Sequence, residues 1–337
     1  MRAAWYSQQG PAREVIQLGE IETPVPGPGE ILVRVAASGV NPSDVKQRGG
    51  APGRALPFPR IVPHSDGAGT ITGVGEGVAE GRIGQRVLLY RAQQNRPFGT
   101  AAEFIALPQQ LGVAIPDSLS FMEAATIGVP GLTAAHAVGG FRDVRGLNVL
   151  ITGAGGAVGS YAVALAALRG ANVFALVRSP AKRQRARDLG ARHIVEDSGP
   201  AGAKFIADAT GGHGIDLAID VDFSNLADFL VAVAAPDSAI ATYGSARNEA
   251  QVPIRDIRQK GLSIHGFNVY RLSPPRNEAA LALVMEAVAS SALRAAIGMV
   301  FSLDQCAEAH EALEAGGAGK VVIDLSRGSS TRFRASD

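Results

Sequence analysis

The sequence contains one cysteine, Cys306, among 337 residues. A single cysteine excludes an intramolecular disulfide and any zinc cluster built from several cysteines. The long apolar region at 158–177 is interrupted by Gly159, Ser160 and Arg169, so it does not have the pattern of a membrane span. Neither sign of charge is in excess: Lys and Arg number 32, Asp and Glu 31, and the net charge of +1 favours neither nucleic acid nor a membrane as a partner. We therefore expect a protein of the reducing cytoplasm.

The pattern of apolar residues and turns divides the chain into a β-rich part and an α/β part. About the first 120 residues contain short apolar runs separated by Gly and Pro, which is typical of strands. From about Ser120, predicted strands alternate with predicted helices, which favours a doubly wound parallel sheet. The last part predicts helices over 276–290 and 304–315 and a final strand, "KVVIDL". The chain is long enough for two domains, so we expect an α/β protein with two domains.

A glycine-rich turn follows the apolar run "VLI" at 149–151 and precedes an alanine-rich helical segment. In the dinucleotide-binding pattern G-x-G-x-x-G, the three positions are Ala154, Gly156 and Gly159 here, and Gly153 and Gly155 flank the first. The amides of Gly156, Ala157 and Val158 are then expected to point at a pyrophosphate from the helix N-terminus. The alternative is a turn that is glycine-rich for packing alone.

The second strand of this unit, "NVFALV", ends without the acidic residue that binds the ribose of NAD. It is followed instead by Arg178 and Ser179, with Lys182 close behind. An arginine can bind a 2′-phosphate through two hydrogen bonds, so this pattern predicts NADPH as the cofactor. The alternative is that the basic residues form the solvated face of a helix capped by Ser179, and this reading is favoured for three of them, Arg183, Arg185 and Arg187.

Several motifs occur in order along nearly the whole chain: "ASGVNPSDVKQRGG", "PHSDGAGTITGVGEGV", "GVPGLTAAHAV", "LITGAGGAVG" and "GKVVIDL". With them the chain resembles the medium-chain dehydrogenase/reductase superfamily, in its zinc-independent, zeta-crystallin-like quinone oxidoreductase branch. The resemblance implies a GroES-like β-rich catalytic domain at 1–122 and 268–337, and a Rossmann NADP-binding domain at 123–267. It also implies a cofactor cleft between the domains, a small-molecule substrate and a homodimer.

The resemblance also implies a reaction without a metal. Asn41 stands where zinc-dependent members have their first ligand, and Ser65 stands at the histidine position. His64 is one residue out of register, and no cysteine partner is expected for it. The other histidines are interpreted as ordinary structural or surface residues: His136, His193, His213, His265 and His310.

Site residues are carried over from the resemblance at matching positions. It implies that Asn41 lies near the nicotinamide and donates a hydrogen bond to a substrate carbonyl, and that Asp44 orients the same loop. Further cofactor contacts are implied for Thr133, Gly244, Ser245, Phe267, Asn268 and Lys320. For three positions a structural role is the alternative: Asp44 as a helix cap, Gly244 as a turn residue and Phe267 as part of the core.

The sequence departs from the family pattern at two places. Asp197 replaces a tyrosine that assists binding of the 2′-phosphate, and an acid there weakens the expectation of NADPH. Aromatic positions of the quinone pocket are occupied by Lys46, Pro52 and Ala101, and a polar insertion lies at 91–99. The expected substrate pocket is therefore not that of a typical member.

The expected activity is hydride transfer from NADPH to a quinone or to an activated carbon–carbon double bond, with the proton delivered by the nicotinamide ribose or by water. An enoyl-thioester reductase is the alternative enzyme, for which Arg48, Arg54 and Arg60 would form a basic entrance. A non-catalytic NADPH-binding or RNA-binding protein is the alternative outside enzymes. The near-zero net charge disfavours RNA.

Overall fold

The computed structural model describes residues 1–50, 56–293, 297–316 and 319–326. The chain forms two compact units: Met1–Val129 with Ala295–Asp337 is the first, and Pro130–Arg294 is the second. The domain boundaries proposed from the sequence lie after residues 122 and 267, whereas the boundaries of the units lie after residues 129 and 294. The residues between 268 and 294 thus fall in the second unit.

Both units contain strands and helices. The strands are β1 (Arg2–Trp5), β2 (Gln17–Glu20), β3 (Glu30–Val40), β4 (Asp66–Val74), β5 (Arg86–Leu89), β6 (Phe104–Pro108), β7 (Gly112–Ala114), β8 (Asn148–Ile151), β9 (Asn172–Leu176), β10 (His193–Val195), β11 (Ile215–Asp220), β12 (Ala234–Thr242), β13 (Ser263–Gly266), β14 (Ile297–Ser302) and β15 (Lys320–Asp324). The α-helices are α1 (Ala12–Val15), α2 (Pro42–Gly49), α3 (Phe121–Ala124), α4 (Gly128–Gly139), α5 (Ala157–Leu168), α6 (Pro180–Asp188), α7 (Pro200–Ala209), α8 (Phe223–Val233), α9 (Ile254–Lys260), α10 (Pro274–Ala289) and α11 (Cys306–Glu314). Among the described residues, no helix combines the length and the apolar character needed to cross a membrane.

The first unit is built on a mixed sheet of seven strands in the order β14-β15-β3-β4-β5-β7, with β6 also paired to β3. In β3 the alternate side chains of Ile31, Val33 and Val35 are buried, as the period of two in its sequence predicts. The strand β15 pairs antiparallel to β3, and β14 pairs parallel to β15. The chain therefore returns after residue 297 to extend the sheet begun near the N-terminus. This unit is the expected GroES-like, β-rich part of the fold.

The second unit is built on a six-stranded sheet in the order β10-β9-β8-β11-β12-β13, and every pairing is parallel. The apolar run Val149–Ile151 in β8 is fully buried, as is usual for central strands of parallel sheets. Helices connect successive strands, so the carboxyl ends of all six strands lie along one edge. The predicted Rossmann-type doubly wound sheet is confirmed.

Candidate cofactor and active site

The glycine turn connects β8 to α5. Gly153 has a φ of +59°, in the left-handed region that glycine adopts without strain. A Cβ on Gly159 would lie 2.2 Å from the carbonyl oxygen of Gly153, so the first turn of α5 approaches the loop more closely than any other residue allows. Gly156 is the N-cap of α5, and Ala154 is buried. The predicted strand, tight turn and helix are confirmed at these residues.

The backbone amides at the start of α5 differ in what they are free to bind. The Gly156 N–H donates to the carbonyl oxygen of Gly153 at 2.9 Å. The expectation that this amide points at a pyrophosphate is corrected, because the turn itself uses it. Ala157 and Val158 are the first two residues of α5, where backbone N–H groups lack a carbonyl acceptor one turn earlier. These two amides are the candidate phosphate donors.

The predicted cofactor residues of the second unit lie along one edge of its parallel sheet. This edge is the place where doubly wound folds bind their ligands. The glycine turn follows β8, and the residues that follow the other strands are Arg178 and Ser179 after β9, Gly244 and Ser245 after β12, and Phe267 and Asn268 after β13.

The basic residues after β9 are placed beside the glycine turn. Lys182, on α6, packs against Gly155, since a Cβ on this glycine would lie 2.7 Å from Lys182 Cδ. Arg178 is exposed and directly follows the buried Val177. Ser179 is the N-cap of α6, but its side chain makes no capping hydrogen bond, contrary to the predicted cap.

The three arginines interpreted as a solvated face are not equivalent. Arg183 is half-buried, and its Nη1 forms an ion pair with Glu196 Oε1 at 2.9 Å. The Arg183 guanidinium is therefore paired with an acid at the surface instead of being free in solvent. Arg185 is also half-buried, whereas Arg187 is exposed. Only Arg187 is fully on a solvated face.

Asp197 is engaged with the backbone of the next helix. Its Oδ1 accepts from the backbone N–H of Gly199 at 2.6 Å and from that of Gly202 at 3.4 Å, at the N-terminus of α7. A carboxylate in this position is stabilised by the helix dipole. The side chain thus has a structural role at α7, which reduces the weight of its acidity in the choice of cofactor.

The loop after β12 is held by close backbone contacts. A Cβ on Gly244 would lie 2.4 Å from the carbonyl oxygen of Val221, so glycine has a packing reason here. The Ser245 hydroxyl donates to the carbonyl oxygen of Arg247 at 2.5 Å, and the backbone N–H of Ala246 donates to Asp222 Oδ1 at 2.9 Å. The loop is therefore ordered by its own hydrogen bonds.

The remaining predicted cofactor residues of this unit are Phe267, Asn268 and Thr133, and each of them makes contacts within the protein or is buried. Phe267 is half-buried, and its ring centroid lies 4.7 Å from that of His136 and 6.2 Å from that of Tyr243. Asn268 Oδ1 accepts from the backbone N–H of Tyr270 at 3.0 Å. Thr133 is buried within α4.

Asp220, at the end of β11, was missed by the sequence analysis. Its Oδ1 accepts from the hydroxyl of Thr152 at 2.8 Å, and its Oδ2 accepts from that of Thr242 at 3.2 Å. These bonds tie together the carboxyl ends of β8, β11 and β12. Burial raises the pKa of Asp220, and the bonds from the two threonines lower it in part. The signal available in the sequence was an acid inside the apolar run "IDLAID".

In the first unit, Asn41 is the centre of a buried polar network. Its Nδ2 donates to Asp66 Oδ2 at 2.8 Å, and its Oδ1 accepts a hydrogen bond from Lys320 Nζ. Its backbone N–H donates to Asp44 Oδ2 at 2.8 Å, at the start of α2. Asp44 thus caps the helix, which was its alternative structural role, and at the same time orients the loop of Asn41. All four side chains are buried.

Two acids and one lysine share this network. Burial raises the pKa of Asp66 to about 6, although Lys320 and the hydrogen bonds from Asn41 and Val129 lower it in part. Burial and the neighbouring Asp66 carboxylate raise the pKa of Asp44. Burial lowers the pKa of Lys320, while the two carboxylates raise it. Burial thus opposes the charged form of all three groups, and the attraction between the lysine and the two acids favours it.

The sequence analysis named Asn41, Asp44 and Lys320 but missed Asp66. The acid stands in the glycine-rich stretch "SDGAGT", which has no other charged group that could pair with it locally. Lys320 is buried, and its Nζ lies 3.9 Å from Asp66 Oδ2.

Two of the three arginines suggested as a basic entrance, Arg48 and Arg60, are described, and they differ in exposure. Arg48 is buried, and its guanidinium donates to Glu314 and to the carbonyl oxygen of Gly10. Arg60 is exposed, with its guanidinium 5.1 Å from the centroid of the Trp5 ring. Arg54 lies outside the described residues, as does Pro52 of the expected pocket. Of the other pocket positions, Lys46 is exposed and Ala101 is buried.

The interpretation of His64 as a histidine without a cysteine partner is wrong. His64, Cys306 and His310 are all buried, and their ligand atoms lie within 4.8 Å of one another. His310 is thus buried beside His64 and Cys306. The sequence offered one signal, the spacing of four residues between Cys306 and His310, but His64 comes from a distant segment.

Two family models match the chain. The model described as an alcohol dehydrogenase GroES-like domain matches residues 27–117, and the model described as a zinc-binding dehydrogenase matches residues 157–286. The first match lies in the first unit, and the second match lies in the second unit.

Characterised relatives cover the chain over most of its length. The quinone oxidoreductase of Rattus norvegicus is 27% identical over 93% of this chain and 94% of its own. A phenolphthiocerol/phthiocerol polyketide synthase subunit of Mycobacterium tuberculosis is 30% identical over 93% of this chain, which corresponds to 14% of that protein.

Solved structures show the same fold. An NAD-dependent alcohol dehydrogenase has a TM-score of 0.87 and 30% identity, over 96% of this chain and all of that one. A mycobacterial protein complexed with NADPH has a TM-score of 0.82 and 27% identity, over 96% of this chain and 99% of that one. With the sheet topology, the glycine turn and the matched family models, these similarities show that the chain is a quinone oxidoreductase-like member of the medium-chain dehydrogenase/reductase superfamily.

Proposed function

We propose that this protein transfers a hydride from NADPH to a quinone or to an activated carbon–carbon double bond, such as that of an enone or enal, without zinc. The observation that carries the cofactor assignment is the pair Arg178 and Lys182, with Lys182 packed on Gly155 of the glycine turn. The similarity to a quinone oxidoreductase over most of the chain supports the class of acceptor.

The residues of the second unit fit a dinucleotide phosphate. Gly153 and Gly159 place no Cβ where the turn and the first turn of α5 approach each other, and the amides of Ala157 and Val158 begin α5. Arg178 offers a forked set of donors to a 2′-phosphate, and Lys182 adds a point charge. Asp197 does not oppose this role, because the α7 N-terminus holds its carboxylate.

NADPH supplies the hydride when it is bound. Asn41 contributes a hydrogen-bond donor for the oxygen on which negative charge develops, because an amide has two N–H groups and only one is used by Asp66. Lys320 and Asp66 fix the orientation of the amide from both ends. The proton comes from the nicotinamide ribose or from water.

An enoyl-thioester reductase is the second candidate. The 30% identity to part of a polyketide synthase subunit favours it. An enoyl-thioester reductase was expected to have a basic entrance. Of its described arginines, Arg48 is buried and Arg60 is exposed. Turnover of an enoyl-CoA by NADPH at least as fast as that of simple quinones and enones would favour this candidate over the first.

We also propose that two copies of the chain assemble into a homodimer. The strand β13 ends the six-stranded sheet, and Ile264 on it is 39% exposed. An edge strand offers free backbone N–H and C=O groups to a second strand. A homodimer would cover this edge.

The cofactor assignment is tested by fluorescence titration of NADPH and NADH with the wild type and with Arg178→Ala. We expect the wild type to prefer NADPH, and the variant to bind NADPH about tenfold more weakly because charge-assisted hydrogen bonds to the phosphate are lost. NADH binding should not change. Arg187→Ala is the matched control, since Arg187 is an exposed arginine near the end of α6, the helix that follows Arg178. Equal binding of both cofactors by the wild type would contradict the assignment.

A further inference from the structure

Two histidines and the cysteine of the first unit meet in its interior. His64 precedes β4, whereas Cys306 and His310 lie four residues apart on α11 and therefore on the same face of that helix. The exposed fraction is 0% for each of the three. His64 has a φ of +81°, a left-handed conformation that is uncommon for a residue with a side chain. Cys306 belongs to an apolar core cluster that also contains Val40, Val62 and Leu303.

The hydrogen bonds around His64 determine which of its nitrogens carries a proton. The Thr100 hydroxyl donates to the carbonyl oxygen of Asp66 at 2.5 Å, so its oxygen can only accept from Ser38 Oγ, 2.7 Å away. The single hydroxyl proton of Ser38 is thereby used, and Ser38 Oγ must accept from His64 Nδ1 at 2.8 Å. The neutral His64 ring thus has its proton on Nδ1 and a lone pair on Nε2.

The lone pair of His64 faces the second histidine. Nε2 of His64 lies 2.9 Å from Nε2 of His310, so His310 must donate its Nε2 proton across this contact. His310 Nδ1 is then the acceptor nitrogen, and it is buried without a hydrogen-bond partner among the described residues. One proton is therefore held between two imidazole nitrogens, beside a thiol, in a position where a metal ion could replace it.

We propose that His64, His310 and Cys306 form a buried site for a soft monovalent metal ion, Cu(I), bound by two Nε2 atoms and one thiolate. Imidazole and thiolate are ligands that such an ion prefers. Ser38 plays the part usual for a neighbour of a metal-binding histidine, because it accepts the other ring N–H and fixes the ring. Two metal–nitrogen bonds of about 2.0 Å in a trigonal arrangement place the nitrogens about 3.5 Å apart, so the rings must separate by about 0.6 Å.

Charge and ligand number favour Cu(I) over Zn(II). Cu(I) with one thiolate and two neutral imidazoles has no net charge, which suits a site with no exposed surface. Zn(II) with the same ligands keeps a positive charge and an open fourth position. The buried cations Arg48 and Lys320 act electrostatically on His310 and His64, respectively, and disfavour added positive charge.

Binding of one Cu(I) ion releases one proton, so the charge of the site does not change. The Cys306 thiol loses its proton to solvent as the Cu–S bond forms. The proton of His310 moves from Nε2 to Nδ1, so that both Nε2 lone pairs are available to the metal. No electron is transferred, since copper enters and stays as Cu(I).

The test is an anaerobic titration of the full-length protein with Cu(I), in competition with the chromophoric chelator bicinchoninate. We expect one Cu(I) per chain, no competitive binding by Cys306→Ser, and binding about ten- to a hundredfold weaker in Ser38→Ala, which leaves all three ligands in place. His213→Gln is the control, because His213 is a surface histidine paired with Asp216, and it should bind like the wild type.

A second test is X-ray absorption spectroscopy at the copper edge, measured on the wild-type protein loaded with Cu(I). This test requires no variant. We expect one sulfur and two imidazole nitrogens around the metal. Any one of four results would overturn the proposal. The spectrum could show sulfur but no imidazole, or Cys306→Ser could bind copper as well as the wild type. The wild type could also fail to bind in competition with the chelator, or Zn(II) could displace Cu(I) from these ligands.

Discussion

Buried charged side chains around Asn41 fix the orientation of its side-chain amide. Asp66 uses both oxygens, one for Asn41 Nδ2 and one for the backbone N–H of Val129, each at 2.8 Å. This geometry requires glycine at position 128, where a Cβ would lie 2.2 Å from Asp66 Oδ1. A buried carboxylate without such partners costs several kcal/mol. The network therefore holds the amide in one orientation, which a donor to a developing oxyanion needs.

We predict that Asn41→Ala lowers kcat/KM for the hydride acceptor by about 10²- to 10³-fold, because a donor to the developing negative charge is removed. Steady-state kinetics with a quinone and with an enone measure this effect. The affinity for NADPH should stay the same and serves as the internal control. A variant with unchanged activity and unchanged substrate affinity would show that Asn41 has no catalytic role.

The element that binds the cofactor phosphates is the unit of β8, the glycine turn and α5. The helix α5 lies so close to the turn that there is no space for a Cβ at Gly159. In contrast, a Cβ added at Gly73 in β4 would come no closer than 3.6 Å to any side chain. The two glycines therefore differ in their physical role, although the sequence shows both simply as glycine.

We predict that Gly159→Ala destabilises the protein by about 1–3 kcal/mol, since the added methyl group must displace the turn. NADPH binding should weaken in the same variant because Ala157 and Val158 move with the helix. Gly73→Ala is the matched control and should change neither quantity appreciably. Urea denaturation and NADPH fluorescence measure the two effects, and equal behaviour of the two variants would contradict the packing argument.

At the scale of the whole molecule, each unit is organised by a sheet of its own. The first sheet is completed by β14 and β15 from the last part of the chain, and the second ends at β13. Among the strands that the structure describes, β13 pairs with β12 alone, and the other edge of β13 underlies the proposed homodimer.

We predict a mass in solution of about twice 34.7 kDa, because pairing of two β13 strands would satisfy their free backbone groups. Light scattering after size-exclusion chromatography measures the mass. The Ile264→Asp variant should be a monomer that still binds NADPH, because a charge at the edge opposes strand pairing. A monomeric wild type would contradict the proposal.

The sequence by itself determined the features that depend on local pattern: the fold class, the alternation of strands and helices in the second unit, the glycine turn and the basic residues after β9. These could be predicted because a strand period or a motif is complete within a few residues. Tertiary structure alone decided which buried groups meet. Lys320 bonds to Asn41 across 279 positions, and His310 meets His64 across 246. A pattern of a few residues cannot show that such distant residues are in contact. The pairing of β15 with β3 brings Lys320 to Asn41, and the packing of α11 brings His310 to His64.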